Sequence, residues 1–433
     1  VLRNHVRQKN KRINYPGPLW ARAWLRVLMM ATRPSSAWAR AWLMLCLHCF
    51  AAAPSPPCRD RFLEPFSNRS IWNTAIGSAA TFVDAKLYVA NGSCAGAPHC
   101  KAPTDFHNDQ DFFLLSHPET DVRVPWINQG DWGADDHCTV TGKEIATIAL
   151  PQAWTTASDG GRSKPGQPNN NAMGLLLPDN MTILQMQPAY RCAANGPLLA
   201  RFGNATDGCP QRFPNTTSIF GDGALGSHGG SGLSGIGGTI RVGELTRQGP
   251  IGHALKLELQ HQWYYGLRAL QPASAYNGGR RQYVWPATGS DSCSGNAPGG
   301  CYGGTLPVLA PGALLAVPAD RVDGIANKMR TKPGRKIFEA LTDFGGYIVD
   351  DTGSGNSAAI CMESDVNTEM RSAFGYAMTY PRGVTSSLAD PGHELYADLL
   401  LIFQALHVVT NNKPGAVGGG GTPRVPTKGP ICV

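Results

Sequence analysis

No apolar run in this 433-residue chain approaches the roughly 20 residues that a membrane-spanning helix needs. No stable membrane span is therefore expected after processing. Zinc-type cysteine spacing is also lacking, because the single C-x-x-C, Cys46 to Cys49, falls in a segment expected to be removed. Ser231 and Ser234 miss the G-x-S-x-G pattern, since the windows centred on them end in Leu233 and Ile236, and a serine hydrolase is unsupported. The G-x-G-x-x-G from Gly221 to Gly226 has no βαβ context and no following acidic partner, which argues against a dinucleotide site. No cofactor and no metal is implied by these patterns. Acidic residues are absent from residues 1–53, which carry nine Lys and Arg. From residue 54 onward 29 basic residues face 31 acidic ones, so the formal charge of +7 belongs to the leading segment and no nucleic-acid partner is expected.

What the chain does contain points to export. Met29-Met30, then Arg33 and Arg40, precede the apolar run Ala41 to Phe50 and the small residues Ala51 to Ala53. A charged start, a run of about 10 apolar residues and a small-residue end is the layout of a secretory signal peptide, with a signal anchor as the alternative. Residues 1–28 read as sequence upstream of the true start and 29–53 as the signal, which makes the location secreted or extracellular. Ten cysteines remain beyond it, an even number that reads as disulfides. Short polar loops suggest Cys94 with Cys100, Cys192 with Cys209 and Cys293 with Cys301, leaving Cys58, Cys138, Cys361 and Cys432 for longer links, of which Cys58 to Cys432 is one candidate. N-x-S/T sequons at Asn68, Asn91, Asn180, Asn204 and Asn215 mark candidate glycosylation sites.

Short apolar runs bounded by Gly and Pro predict a mainly β fold, a β-sandwich or jelly-roll-like domain over 58–412 with long loops and a few peripheral helices. The runs are Phe112 to Leu115, Ile145 to Leu150, Gly174 to Leu177, Met181 to Met186, Ala254 to Leu259, Gln282 to Trp285 and Tyr347 to Val349. Helical spacing appears in Gly334 to Phe344 and in Glu394 to Val408. The Gly- and Pro-rich stretch 413–433 reads as a flexible tail that Cys432 could pin back.

Candidate chemistry concentrates between Gly221 and Leu259, where dense glycine permits close backbone approach and Asp222, His228, Glu244, His253 and Lys256 supply acid, base and cation. A satisfied core role is the competing reading for both histidines. Asp105, His107, Asp109 and Asp111 alternate, so a strand would put all four on one face as an acid/base or hard-cation cluster. A polar turn before Phe112 is the simpler reading. A glycosidase requires two carboxylates at close range, and the candidates are Glu244, Glu258, Asp343, Asp350, Asp351 and Glu363. Aromatic and basic residues that could stack on sugars or neutralise uronates include Trp285, His261, Tyr264 and Tyr265, with core packing as the alternative.

Pro65-Phe66-Ser67 with Ile71-Trp72-Asn73-Thr74, Gly232-Leu233 with Glu244, His253-Ala254-Leu255-Lys256, Val284-Trp285-Pro286-Ala287 and Phe344 to Asp350 resemble a group of secreted bacterial and eukaryotic proteins with no agreed activity. The resemblance implies export and lends no catalytic residues. The expected function is action on extracellular or cell-wall polysaccharide by hydrolysis or β-elimination. His228, Glu244, His253, Asp350 and Asp351 are the catalytic candidates, and Asp222, Lys256, His261, Tyr264 and Trp285 the substrate-binding ones. The alternative is a non-catalytic carbohydrate-binding or structural wall glycoprotein.

Overall fold

The computed structural model describes residues 58–87, 103, 105–130, 137–156, 171–201, 216–259, 283–289, 309–352, 357–379 and 383–432. The proposed signal, Cys94, Cys100, Cys209, Cys293, Cys301, Asn91, Asn204, Asn215, His261, Tyr264 and Tyr265 lie outside them. Pro56–Val433 forms one compact unit, and its described residues are mainly β, as the pattern of short apolar runs predicts. No described helix is long and apolar enough to cross a membrane.

The strands are β1 (Phe82–Asp84), β2 (Asp105–Leu115), β3 (Val122–Asn128), β4 (Lys143–Leu150) and β5 (Ala172–Leu176). They continue with β6 (Thr182–Met186), β7 (Ala189–Tyr190), β8 (Leu198–Ala200), β9 (Thr216–Ser218) and β10 (Leu255–Leu259). The last five are β11 (Leu314–Ala316), β12 (Gly346–Asp351), β13 (Ser357–Glu363), β14 (Val384–Thr385) and β15 (His407–Val409). Eleven described strands build a mixed sheet in the order β1-β15-β11-β12-β10-β13-β2-β5-β6-β9, with β14 on β2, and four build a smaller sheet, β4-β3-β8-β7.

At the centre, β10 runs parallel to β12 and antiparallel to β13, which runs parallel to β2. Strand periodicity divides the side chains. Leu255, Leu257, Leu259, Ile348, Ile360 and Met362 join one apolar cluster with the helices, while Lys256, Glu258, Cys361, Asp109 and Asp111 occupy alternate positions facing the other way. The helices are α1 (Val322–Ala326), α2 (Lys332–Asp343), α3 (Ser364–Phe374) and α4 (His393–Ala405). Ile337, Phe338 and Leu341 of α2 and Leu395, Leu399, Ile402 and Phe403 of α4 supply the covering layer. Thr331 caps α2 by accepting from the Gly334 N–H at 3.0 Å, and buried Asp398 of α4 accepts from Thr331 Oγ1 at 2.7 Å, tying the two helices together. The smaller sheet packs Val124, Trp126, Ile148, Leu150 and Leu198 against Phe112, Met173, Leu175 and Met186.

Four local expectations are corrected. Asp105 to Asp111 is the first part of β2 rather than a turn, because its backbone pairs with β13 along its whole length and with β14 at Asp105 and Phe106. The described part of Gln282 to Trp285 is not a strand; Val284 and Ala287 close a turn instead. Cys192 pairs with Cys138 across a 5.8 Å Cα separation, not with Cys209, and Cys361 is a buried free thiol. Finally, the 413–432 segment is packed rather than loose. Cys58 bonds Cys432, and the buried Arg59 guanidinium donates to the Gly429 carbonyl at 2.7 Å. Gly418 to Gly421 all adopt positive φ, and Gly418 and Gly419 lie so close to the Ala75 and Ala80 backbone that a side chain there would collide. Asn68 and Asn180 are exposed, in keeping with their sequons.

Candidate functional site

The polar face of the central strands is covered by the glycine-rich loop 219–243. The loop is laced to the sheet by backbone: Ser231 N–H donates to the Val349 carbonyl at 3.0 Å, Ile240 N–H to Cys361 at 3.1 Å, and Lys256 N–H to Gly238 at 3.0 Å. Glycine is required where Gly238 (φ 77°) lies against the Trp72 ring. Trp72 in turn donates from Nε1 to the Gly223 carbonyl at 2.7 Å, which explains why the Ile71-Trp72-Asn73-Thr74 motif accompanies this loop.

Coming down from the loop, His228 is fully buried. Its Nε2 faces Asp109 Oδ2 at 3.5 Å, Cys361 Sγ at 3.5 Å, Glu258 Oε1 at 3.8 Å and Asp111 Oδ1 at 3.9 Å. Its Nδ1 faces Asp350 Oδ2 at 3.8 Å. Register explains the gathering: Cys361 stands opposite Asp109, and Glu258 opposite Asp350. Asp111 Oδ2 accepts from Lys256 Nζ at 2.7 Å and Thr239 Oγ1 at 2.6 Å, and Lys256 also donates to the Gly235 carbonyl at 3.0 Å. Gly229 packs closely on the centre, since a Cβ there would stand 3.0 Å from Asp350 Oδ2 and 3.1 Å from Gln187 Nε2. Gln187 accepts the Gly229 N–H through its carbonyl oxygen.

Electrostatics follow from this crowding. Burial pushes the Glu258 carboxyl well above the ordinary carboxylate range, and neighbouring Asp109 and Asp350 push it further. Asp111 is raised by burial, with Lys256 and His228 opposing. Burial, then Asp111, pushes the Cys361 thiol well up. Several buried polar atoms also have no hydrogen-bond partner: His228 Nδ1, Asp111 Oδ1, Gln187 Nε2, Ser227 Oγ and both side-chain atoms of Asn171. Native cores seldom tolerate such groups without a functional reason. Asp109, His228, Glu258 and Cys361 each offer one donor atom within 4.8 Å of the others.

Glu244 and His253 do not belong to this centre. His253 Nδ1 faces the Ala254 carbonyl at 2.8 Å and Nε2 faces Glu244 Oε2 at 3.0 Å, so each ring nitrogen has its partner. Burial raises the Glu244 carboxyl, but His253, the Arg241 N–H and Arg247 outweigh it and hold the group below its usual value. Lys336 binds the Glu244 and Gly249 carbonyls. The arrangement is a buried strut.

Of the remaining candidates, Asp351 is half-buried at the end of β12, outside the groups within 4 Å of His228. Asp222 is exposed and caps its own turn through Ala224 N–H at 3.2 Å. Lys256 is sealed inside the centre and serves Asp111 rather than the solvent. Trp285 is half-buried, in the 283–289 segment whose Thr288 N–H donates to the Ser231 carbonyl at 2.9 Å. Gln187, Asn171 and Tyr190 have no signal in their local sequence. Tyr190 is buried, stacks on His137 with centroids 4.4 Å apart, and has its hydroxyl pushed up by burial and by Asp109. No protein-family model matches the chain, and no curated protein or solved structure matches it either.

Proposed function

We propose that this chain is an extracytoplasmic enzyme that cleaves polysaccharide, with its reaction centre under the 219–243 loop. The supporting observation is the convergence of four carboxylates, a histidine, a lysine and a thiol from the loop and four different strands into one dry cluster with unmatched polar atoms. An apolar core of the same volume would be at least as stable, so such a cluster is retained for what it does. Asp350 is the carboxylate on the far side of His228 from the other three, next to the loop turn at Gly229. In this reading Asp350 takes the proton from the attacking water or from the substrate carbon, the glycosidic C–O bond breaks, the leaving oxygen takes up a proton from solvent, and Gln187 Nε2 hydrogen-bonds the reacting group. The two disulfides among the described residues fit an oxidising compartment, and the Trp285 segment beside the loop offers an aromatic wall for a sugar face.

Incubating the secreted chain with a polysaccharide panel tests this, following reducing ends for hydrolysis and ultraviolet absorbance of unsaturated uronate for β-elimination. One signal is expected in wild type and its loss in D350N. Retention of glycans with neither signal, or full activity in D350N, would overturn the reading.

A further inference from the structure

We propose that Asp109, His228, Glu258 and Cys361 bind one divalent cation of the zinc class. The separations among their donor atoms are the first ground. His228 Nε2 lies 3.5 Å from Asp109 Oδ2, 3.8 Å from Glu258 Oε1 and 3.5 Å from Cys361 Sγ, and Cys361 Sγ lies 3.6 Å from Glu258 Oε1. The nitrogen-to-oxygen distances are too long for direct hydrogen bonds. These four separations match edges of a tetrahedral site, in which bonds of roughly 2.0–2.3 Å set the ligand atoms roughly 3.3–3.8 Å apart, and all four donor atoms lie within 4.8 Å of one another.

Donor chemistry is the second ground, since imidazole, thiolate and carboxylate together suit zinc better than calcium or magnesium, which prefer oxygen alone. A third, independent ground lies around the donors. Fully buried Asp111 Oδ1 has no hydrogen-bond partner and points toward the same imidazole at 3.9 Å, and buried Gln187 Nε2 likewise has none. Four buried carboxyl groups and a thiol face one ammonium, Lys256, and a divalent cation would take the place of the protons that crowding keeps on Glu258 and Cys361. Cys361 is moreover an unpaired thiol in a chain that forms disulfides, and ligation would keep it reduced. Asp350 Oδ2 lies on the opposite side of the ring, 3.8 Å from His228 Nδ1.

The cation's part in catalysis rests on the proposed polysaccharide cleavage, where it would act as a Lewis acid; the site itself stands on the geometry. Zinc can expand from four to five ligands, which would admit a reacting oxygen.

The test uses the full secreted chain, dialysed, then stripped with chelator and reloaded with zinc or cobalt. One equivalent of zinc per chain is expected, together with a cobalt spectrum showing a thiolate charge-transfer band that C361S removes. E244Q should bind cobalt as wild type does. No stoichiometric uptake by the folded chain, or a cobalt spectrum without the thiolate band in wild type, overturns the site. The wild-type band decides the matter even where C361S fails to fold. Polysaccharide cleavage that persists in cation-free protein would remove the cation and leave the reaction standing; one bound cation with no cleavage of any polysaccharide would do the reverse.

Discussion

His228 and His253 are both buried, both face carboxylates and both belong to the segment around the glycine-rich loop, yet they sit in opposite kinds of environment. Every hydrogen-bonding atom of the His253 ring meets an acceptor at 2.8–3.0 Å, and its Glu244 partner is bound in turn by backbone N–H and Arg247. Around His228 the contacts stretch to 3.5–3.9 Å, and the carboxylates repel one another. The first site is closed and complete, while the second is held open by its frame. Residue type does not separate structural from functional histidines here; hydrogen-bond satisfaction does.

The comparison predicts opposite mutational signatures. The largest effect is expected for E244A, which strands His253 inside the protein and should cost about 3–5 kcal/mol in chemical denaturation. A loss below 1 kcal/mol would show that the pair is not a strut. In contrast, E258Q removes a carboxylate crowded by Asp109 and Asp350, and in cation-free protein it should gain about 0.5–2 kcal/mol. A destabilised E258Q would contradict the account of a strained centre.

The smallest effect concerns Asp105, at the far end of the strand that carries Asp109. Burial raises its carboxyl from 3.8 to about 6. Because the folded value exceeds the unfolded one, the folded state binds more protons between those values, and stability falls as pH rises across that window. D105N should therefore raise the melting midpoint at pH 7 and leave it unchanged below 3.8. An equal shift at both pH values would assign the effect to packing instead.

Much of this was legible in the sequence, but as parts without an assembly. The short apolar runs marked six of the fifteen described strands, including most of the central ones, and α2 and α4 also stood out. The alternation of Asp105, His107, Asp109 and Asp111 contained two of the centre's four carboxylates, and His228, Lys256, Glu258 and Asp350 were each recognisable as candidates. What the sequence cannot carry is cross-strand register. Only pairing sets Cys361 opposite Asp109 and Glu258 opposite Asp350, so Cys361 read as a disulfide partner and Glu244 was preferred to Glu258 as a catalytic residue. The 413–432 tail misled for a related reason, because glycine signals flexibility in isolation and close backbone packing in context.

The most direct test measures turnover per folded molecule and unfolding free energy side by side for D350N and H253Q. The account predicts that D350N loses roughly 10²–10⁴-fold in polysaccharide cleavage with wild-type stability, and that H253Q loses stability while its folded fraction keeps wild-type turnover. Full turnover in D350N together with its abolition in folded H253Q would place the reaction centre at the wrong histidine.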